Sequence, residues 1–345
     1  MNSRTPPARA PKKILGFVIV LFASATLHAA GSFSLLPEIG DDGIHVGYTI
    51  TRHYSLFIPN RESRFFAGAV LSPPSETDPT RLAAGLGTLL IQNLAGDRIS
   101  GRYQIDLLAR LDALYRFPRL AAGEVGPFPD GFFVESDAYP VTVATVGLRF
   151  LTADRYRFPT YAAEARLRVT GEIGWETDGA YSAGNTDAFV GILVPLLSPF
   201  VEASARATYR GYVPLGIFDG AVPPGALTTV RLRGYTAGEF HHHATKMSLD
   251  LIGRIPFEFY VPMGVGLGLY VDAGRGANTP AGLIDPVASG DVVAGAFLEY
   301  RVIAPYETGS VTIRSGFGIH PDTREVIGPW LRVEYSAGWF FADPL

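Results

Sequence analysis

The chain has 345 residues, of which 47% are hydrophobic and 18% are charged. In soluble domains about a quarter of all residues are usually charged. The formal net charge is −4, no basic stripe suits nucleic acid, and the absence of cysteine excludes disulfide frameworks and thiolate metal sites. After residue 30 no apolar run approaches the roughly 20 residues of a membrane-spanning helix, so the apolar residues are dispersed along the chain.

The first 30 residues have the features of a secretory signal. A basic start without acids precedes the short apolar core Ile14–Leu27, and small residues surround Ala30 at a plausible cleavage point. An uncleaved anchor helix is the alternative, but the core is short for a membrane span. We therefore expect a signal peptide at 1–30 and a single domain at 31–345.

The rest of the chain alternates between apolar and polar residues over long stretches. Successive side chains of a β-strand point to opposite faces, so this alternation predicts strands with one apolar and one polar face. In Tyr103–Phe117, for example, Leu107 and Leu111 share one face while Arg110 lies on the other. A helical period would mix arginine and leucine on every face. The same alternation is found in Ala163–Glu176 and Val201–Arg210.

These stretches are longer than globular strands, which average about five or six residues. They match tilted strands that cross a bilayer, which take about 9–11 residues. A soluble β-sandwich with one wet face is the alternative, but it predicts shorter strands and fewer apolar residues. Further strands are predicted at Gly43–Phe57, Ser63–Leu71, Leu82–Gln92, Val141–Leu151, Thr186–Leu197, Met247–Ile255, Met263–Ala273, Val292–Val302, Val311–Ile319 and Leu331–Phe341.

The predicted connections alternate between short ones, such as Pro256–Pro262, and long ones, such as Arg119–Asp137 and Thr177–Asn185. Outer-membrane barrels have short periplasmic turns and long external loops, and an even number of strands. Thirteen strands are predicted above, and Ser32–Leu36 is the candidate for a fourteenth. We therefore expect an all-β chain that forms a transmembrane antiparallel β-barrel of about 14–16 strands in a bacterial outer membrane.

One long loop, Val213–Val230, is followed by Arg233-Gly234-Tyr235 and then by five predicted strands. The second of these strands carries three glycines in a row on its polar face, at 264, 266 and 268, followed by Tyr270, Asp272 and Gly274. Glycine inside a strand often marks the close approach of another segment. An inward carboxylate at Asp272 needs a partner, because burying an unpaired charge is costly.

These residues resemble two motifs of the outer-membrane assembly-factor barrels of the BamA/TamA type, also called bacterial surface antigens. That family carries Arg-Gly-Phe/Tyr at the tip of a long loop folded back into the barrel, matched here by Arg233-Gly234-Tyr235. It also carries aromatic-x-Asp-x-Gly on the second strand after the loop, matched by Tyr270, Asp272 and Gly274. The resemblance covers about Thr228–Phe341 and implies that Arg233 pairs with Asp272 in the lumen, where a guanidinium grips a carboxylate with two hydrogen bonds.

The same resemblance implies a role in inserting or translocating proteins or lipids. The partners would be outer-membrane lipid and nascent outer-membrane proteins or other barrel proteins. About a dozen residues separate the signal from the strand at Gly43, so we expect a barrel without the periplasmic POTRA modules of this family. The alternative is a passive pore or structural surface barrel. Charges on the polar faces either line such a pore or form a salt-bridge network: Asp106, Arg110, Arg166, Arg168, Glu172 and Arg206.

The sequence does not indicate catalysis or a cofactor. An outer-membrane lipase needs a serine placed beside a histidine, but no Gly-x-Ser-x-Gly motif occurs and no serine is marked as a partner of His45 or His53. His241-His242-His243 suggests a metal site, yet consecutive strand residues point to alternate faces, so at most two could converge. A surface loop is the simpler interpretation. We therefore expect no enzyme activity, no metal, no cofactor and no nucleic-acid partner.

Overall fold

The structure is a computed structural model. It describes residues 32–34, 38–40, 43–52, 61, 63–72, 81–96, 103–118, 138–153, 161–176, 179–197, 200–218, 228–259, 261–285, 290–303 and 310–336. The expected signal peptide at 1–30, the predicted loop at 119–137 and the last residues of the strands predicted at Gly43–Phe57 and Leu331–Phe341 lie outside these residues.

The described residues form seventeen strands and one short helix. They are β1 (Ser32–Ser34), β2 (Glu38–Gly40), β3 (Gly43–Arg52), β4 (Ser63–Ser72), β5 (Arg81–Gly96), β6 (Gln104–Pro118), β7 (Tyr139–Ala153), β8 (Ala162–Glu176), β9 (Gly179–Leu197), β10 (Val201–Pro214), β11 (Thr228–Leu232), β12 (Tyr235–His241), β13 (His243–Phe259), β14 (Val261–Ala277), α1 (Pro280–Leu283), β15 (Asp291–Ile303), β16 (Ser310–Ile319) and β17 (Val326–Ser336). Within this part of the chain no helix has the length and apolar character to cross a membrane.

Fifteen of these strands form one antiparallel sheet, and β11 and β12 form a separate hairpin. The order of neighbouring strands in the sheet is β1, β3 to β10 and β13 to β17. It follows the order along the chain, except that β10 pairs with β13 because the β11–β12 hairpin lies outside the sheet. β1 and β2 both pair with β3 in one continuous register, with Ser32 opposite Thr51 and Glu38 opposite His45. Both therefore occupy the same position beside β3, which gives fourteen strand positions. The predicted all-β barrel of about 14–16 strands is confirmed, and β1 lies within the predicted fourteenth strand.

The two faces of the sheet differ in the way the alternation predicts. On β14, Leu267 is 63% exposed while Asp272 on the opposite face is fully buried. The same division holds on β6, β8 and β10, where the apolar residues lie on the more exposed face and the charged ones on the buried face. A soluble protein buries its apolar residues, whereas a barrel that crosses a bilayer turns them outward. We call these two surfaces the outward face and the buried face.

One predicted connection is wrong. Thr177–Asn185 was expected to be a long external loop, but β9 already begins at Gly179 and only 177–178 lie between it and β8. The prediction followed the small and polar residues of this stretch, which are typical of loops. In the structure they are strand residues that pair on both sides: Gly184 lies opposite Gly171 of β8 and Val213 of β10. Small residues are accommodated here because the Leu215 side chain packs over Gly184 and Gly171.

Candidate functional site

The candidate site is the β11–β12 hairpin and the barrel wall on which it lies. Leu232 and Tyr235 are opposite partners, so Arg233 and Gly234 form the turn. Gly234 has φ of 73°, a left-handed backbone conformation that glycine adopts without steric cost. The sequence predicts a loop over Val213–Val230, and in the structure the end of this loop begins a hairpin that presents Arg233 at its tip.

The hairpin packs on the buried face of β13 and β14. Gly274 explains how it comes so close. A Cβ on this glycine would lie 2.5 Å from Cγ1 of Val230 and 2.9 Å from Cδ2 of Leu232. Both β11 side chains therefore occupy the space that any other residue at 274 would fill, in line with the general use of strand glycines at close approaches.

Arg233 and Asp272 form the central contact of the site. The guanidinium donates from Nη2 to Oδ1 at 2.5 Å and from Nε to Oδ2 at 3.0 Å, and the backbone N–H of Arg233 donates to Oδ2 at 3.0 Å. Arg233 is 5% exposed and Asp272 is fully buried. The carboxylate thus fixes both the side chain and the backbone of the hairpin turn, which gives the tip one orientation.

A second carboxylate, Asp250 of β13, contacts the same guanidinium. Arg233 Nη2 lies 2.6 Å from Asp250 Oδ1, and Arg206 of β10 donates to Asp250 Oδ2 at 2.8 Å. Lys246 adds a weaker contact, with Nζ 3.9 Å from Asp272 Oδ2. Each of the two buried carboxylates therefore has two cationic partners, as buried charges require. Asp250 is not among the residues predicted from the sequence, although alternation along β13 places it on the polar face.

The Arg233 guanidinium also packs over two aromatic rings. The Arg233 Cζ atom lies 3.9 Å from the ring centroid of Tyr270 and 5.7 Å from that of Phe297, within the range of a cation–π interaction. Trp330 of β17 meets Tyr270 edge-on, with centroids 5.7 Å apart, and its Nε1 donates to the Tyr270 hydroxyl at 3.1 Å. Tyr270 of the predicted motif therefore connects the loop arginine to the last strand.

Gly234 and Tyr235 extend the contact toward β15–β17. A Cβ on Gly234 would lie 2.8 Å from Cγ2 of Ile327 and 2.9 Å from Cδ1 of Trp330, so the turn rests directly on β17. The Tyr235 hydroxyl donates to Asp291 Oδ1 at 3.4 Å. Burial raises the pKa of Tyr235, and the nearby Asp291 carboxylate raises it further. The hydroxyl is therefore neutral and available as a donor.

The glycines of β14 let side chains of β13 and β15 meet across that strand. Gly266 lies opposite Arg254 on one side and Glu299 on the other. Arg254 donates to Glu299 Oε1 from Nη2 at 2.6 Å and to Glu202 Oε1 at 2.6 Å, while Arg314 Nε donates to Glu299 Oε2 at 2.9 Å. The room that Gly266 leaves along this wall is thus occupied by an ion-pair network.

Charged residues on the other strands are also paired. The sequence left open whether they line a pore or form a network, and the contacts favour a network along the wall. The pairs are Asp106 with Arg149, Arg110 with Asp112, Arg116 with Glu172, Arg166 with Glu164, and Arg210 with Asp187.

The three consecutive histidines have separate surroundings. The His242 ring lies against Tyr212, and Nδ1 of His243 is 3.1 Å from the Tyr209 hydroxyl. Across the described ranges, no group of three or more His, Cys, Asp or Glu side chains has the arrangement of a metal site.

No protein-family model matches the chain, and no curated protein matches it. Among solved structures, the chain is similar to the crystal structure of BamA from Haemophilus ducreyi lacking POTRA domains 1-3, with a TM-score of 0.51 and 14% sequence identity. The similarity covers 86% of this chain and 62% of that chain, so the chain spans less than two thirds of the structure it matches. At this identity the comparison shows a shared fold, the antiparallel barrel of BamA.

Proposed function

We propose that the protein is a barrel of the bacterial outer membrane that helps to insert or translocate other proteins, with the β11–β12 hairpin folded into the barrel lumen. Outer-membrane lipid would surround its outward face, and nascent outer-membrane proteins would be its substrates. The observation that carries the proposal is the fixed position of the Arg233–Gly234 turn. It is anchored on Asp272 and rests on β17, the last described strand of the sheet.

The two edges of the sheet also support this function. β17 lies close to β2, but within the described ranges no hydrogen-bonded register joins β17 to β1, β2 or β3. Backbone groups in a bilayer need hydrogen-bond partners. Two neighbouring strands joined by few backbone hydrogen bonds therefore separate more easily than two strands joined by a complete ladder of them. An opened edge offers unpaired N–H and C=O groups to an incoming strand. A hairpin resting on Ile327 and Trp330 would hold one of the two edges in place.

The proposal is tested by deleting the gene and quantifying the proteins of the outer membrane. We expect the abundance of a set of barrel proteins to fall and to be restored by the wild-type gene. The Arg275→Ala variant should also restore it, because, among the described residues, Arg275 Nη1 donates to backbone oxygens of Leu283 and Asp285 near α1 and not to the buried carboxylates. Arg233→Ala should restore it poorly. An unchanged protein profile in the deletion strain would contradict the proposal.

The second candidate function is a passive pore or structural barrel. The ion pairs along β6–β10 favour its structural form, because charges that pair with one another hold the barrel wall together. Conductance of the purified protein in a planar bilayer separates the two. A steady, ion-selective current supports the pore, whereas a silent membrane together with a depleted protein profile supports the insertion role.

A further inference from the structure

Residues 215–218, here called the outer strap, follow β10 and fold over the outward face of the barrel. Leu215 lies over two glycines: a Cβ on Gly184 of β9 would be 3.1 Å from its Cδ2, and a Cβ on Gly171 of β8 would be 3.7 Å from its Cδ1. Each glycine lies an even number of residues from an exposed valine of its own strand, so that it shares the outward face with it: Gly184 with Val190 on β9, and Gly171 with Val169 on β8. The strap therefore lies on the side opposite to the Arg233 hairpin.

The strap covers the part of β9 that lacks large apolar side chains. Toward the turn with β10, the outward positions of β9 are Val190, Ile192 and Val194. Toward Gly179 they change to Thr186, Gly184 and Ser182, which are small or polar and would interrupt an apolar belt. The neighbouring strand β8 has apolar outward residues at the same level, because Ile173 lies opposite Ser182 and Trp175 lies opposite Ala180. The strap thus replaces apolar surface where β9 itself offers little.

Ser182 fixes the backbone of the strap. Its Oγ accepts a hydrogen bond from the backbone N–H of Ile217 at 3.1 Å and from that of Phe218 at 3.4 Å. Ser182 itself is buried beneath them. Polar backbone groups that enter a bilayer must find partners within the protein, and here one hydroxyl serves two consecutive amides.

The apolar side chains of the strap are partly exposed on the outward face. Leu215, Ile217 and Phe218 are 41%, 58% and 40% exposed, and 213–218 contains no charged residue. Beside it, Val213 and Trp175 are also exposed on the outward face. Exposed apolar clusters of this kind mark contact surfaces, and this one is continuous with the apolar outward face of the barrel.

We infer that the outer strap is a lipid-binding surface, which inserts Leu215, Ile217 and Phe218 into the bilayer beside β8–β10. It rests on the membrane location proposed above but not on the insertion role, because it is argued from the barrel fold and the contacts of the strap. The occupant is the lipid bilayer; a second protein docked on the same residues is the competing outcome.

The test uses single cysteines, for which the chain is well suited because it contains none. Ile217→Cys and Phe218→Cys, each in the full mature chain, are labelled with a polarity-sensitive fluorophore and reconstituted into phosphatidylcholine–phosphatidylglycerol vesicles. Leu251→Cys on the outward face of β13 is the lipid-exposed control. Ile284→Cys beside α1, where the side chain is 82% exposed, is the control away from the strap.

We expect labels at 217 and 218 to emit at shorter wavelength than the label at 284. Nitroxides attached to lipid chains should quench them, as they quench the label at 251, whereas iodide in the water should have little effect. If both strap labels instead behave like the label at 284, with quenching by iodide and none by lipid nitroxides, the strap lies in water and the inference is wrong. This measurement leaves the insertion role untouched, so the two proposals fail separately.

Discussion

The ring of Phe297 lies across Gly268 on the buried face of the sheet. The two residues are opposite partners in the β14–β15 ladder, and a Cβ on the glycine would come within 2.6 Å of ring atom Cε1 and 2.8 Å of Cε2. In this position the ring contacts those of Tyr270 and Trp330, with centroid distances of 6.2 and 6.1 Å. The glycine therefore makes room for the aromatic group that supports Arg233.

Gly268→Ala should destabilise the barrel, because the new methyl group overlaps a ring that is held on several sides. Overpacking of this kind costs about 1–3 kcal/mol. The measurement is the temperature at which the folded band disappears on a semi-native gel. Gly266→Ala is the matched control on the same strand, since its Cβ would be 3.1 Å from the Gly253 carbonyl oxygen and 3.2 Å from Ile252 Cγ2, which small shifts relieve. Equal losses in the two variants would contradict this account.

Arg233→Ala and Asp272→Ala should each lower the stability of the barrel by about 3–5 kcal/mol, because each leaves a buried charge without its main partner. Arg233→Lys should recover only part of the loss, since an ammonium cannot donate the paired hydrogen bonds from Nε and Nη2 or stack on Tyr270. Unfolding in denaturant, followed by fluorescence, measures these differences.

The double variant Arg233→Ala/Asp272→Ala provides the internal control. It should lose less than the sum of the two single losses, because the second substitution removes a charge that the first left unpaired. Arg275→Ala serves as a reference for an arginine of β14 outside the buried group. Single variants as stable as the wild type would show that the contact does not anchor the hairpin.

The sequence could predict most of this arrangement but not all of it. Alternation assigned Asp272 and the three glycines of β14 to the buried face, because a strand has a fixed period of two. Alternation does not reveal which rows of neighbouring strands meet, and so Asp250 was missed although it lies opposite Tyr270. The pairing of Arg233 with Asp272 came from a family resemblance, since no local pattern links residues that far apart in the chain.

Gly234→Ala should destabilise the hairpin for two reasons: φ of 73° is strained for alanine, and the methyl group would meet Ile327 and Trp330. Gly216→Ala separates these effects. Gly216 has φ of 61°, but a Cβ there would meet nothing within 4 Å. We expect about 1 kcal/mol from backbone strain in both variants and a further loss only at 234. If the melting temperatures fall equally, packing of the turn on β17 contributes nothing.

Tyr270→Phe should cost about 1–3 kcal/mol, because it leaves the buried indole N–H of Trp330 without its acceptor at 3.1 Å. The ring beneath Arg233 remains, so the coupling between Arg233 and Asp272 in double variants should be unchanged. Tyr300→Phe is the matched control: that hydroxyl lies on the outward face and, within the described ranges, donates to the Met263 sulfur at 3.4 Å, a weak interaction. A Tyr270→Phe barrel that unfolds at the same denaturant concentration as Tyr300→Phe would mean that packing alone, without the hydrogen bond, connects β14 to the last strand.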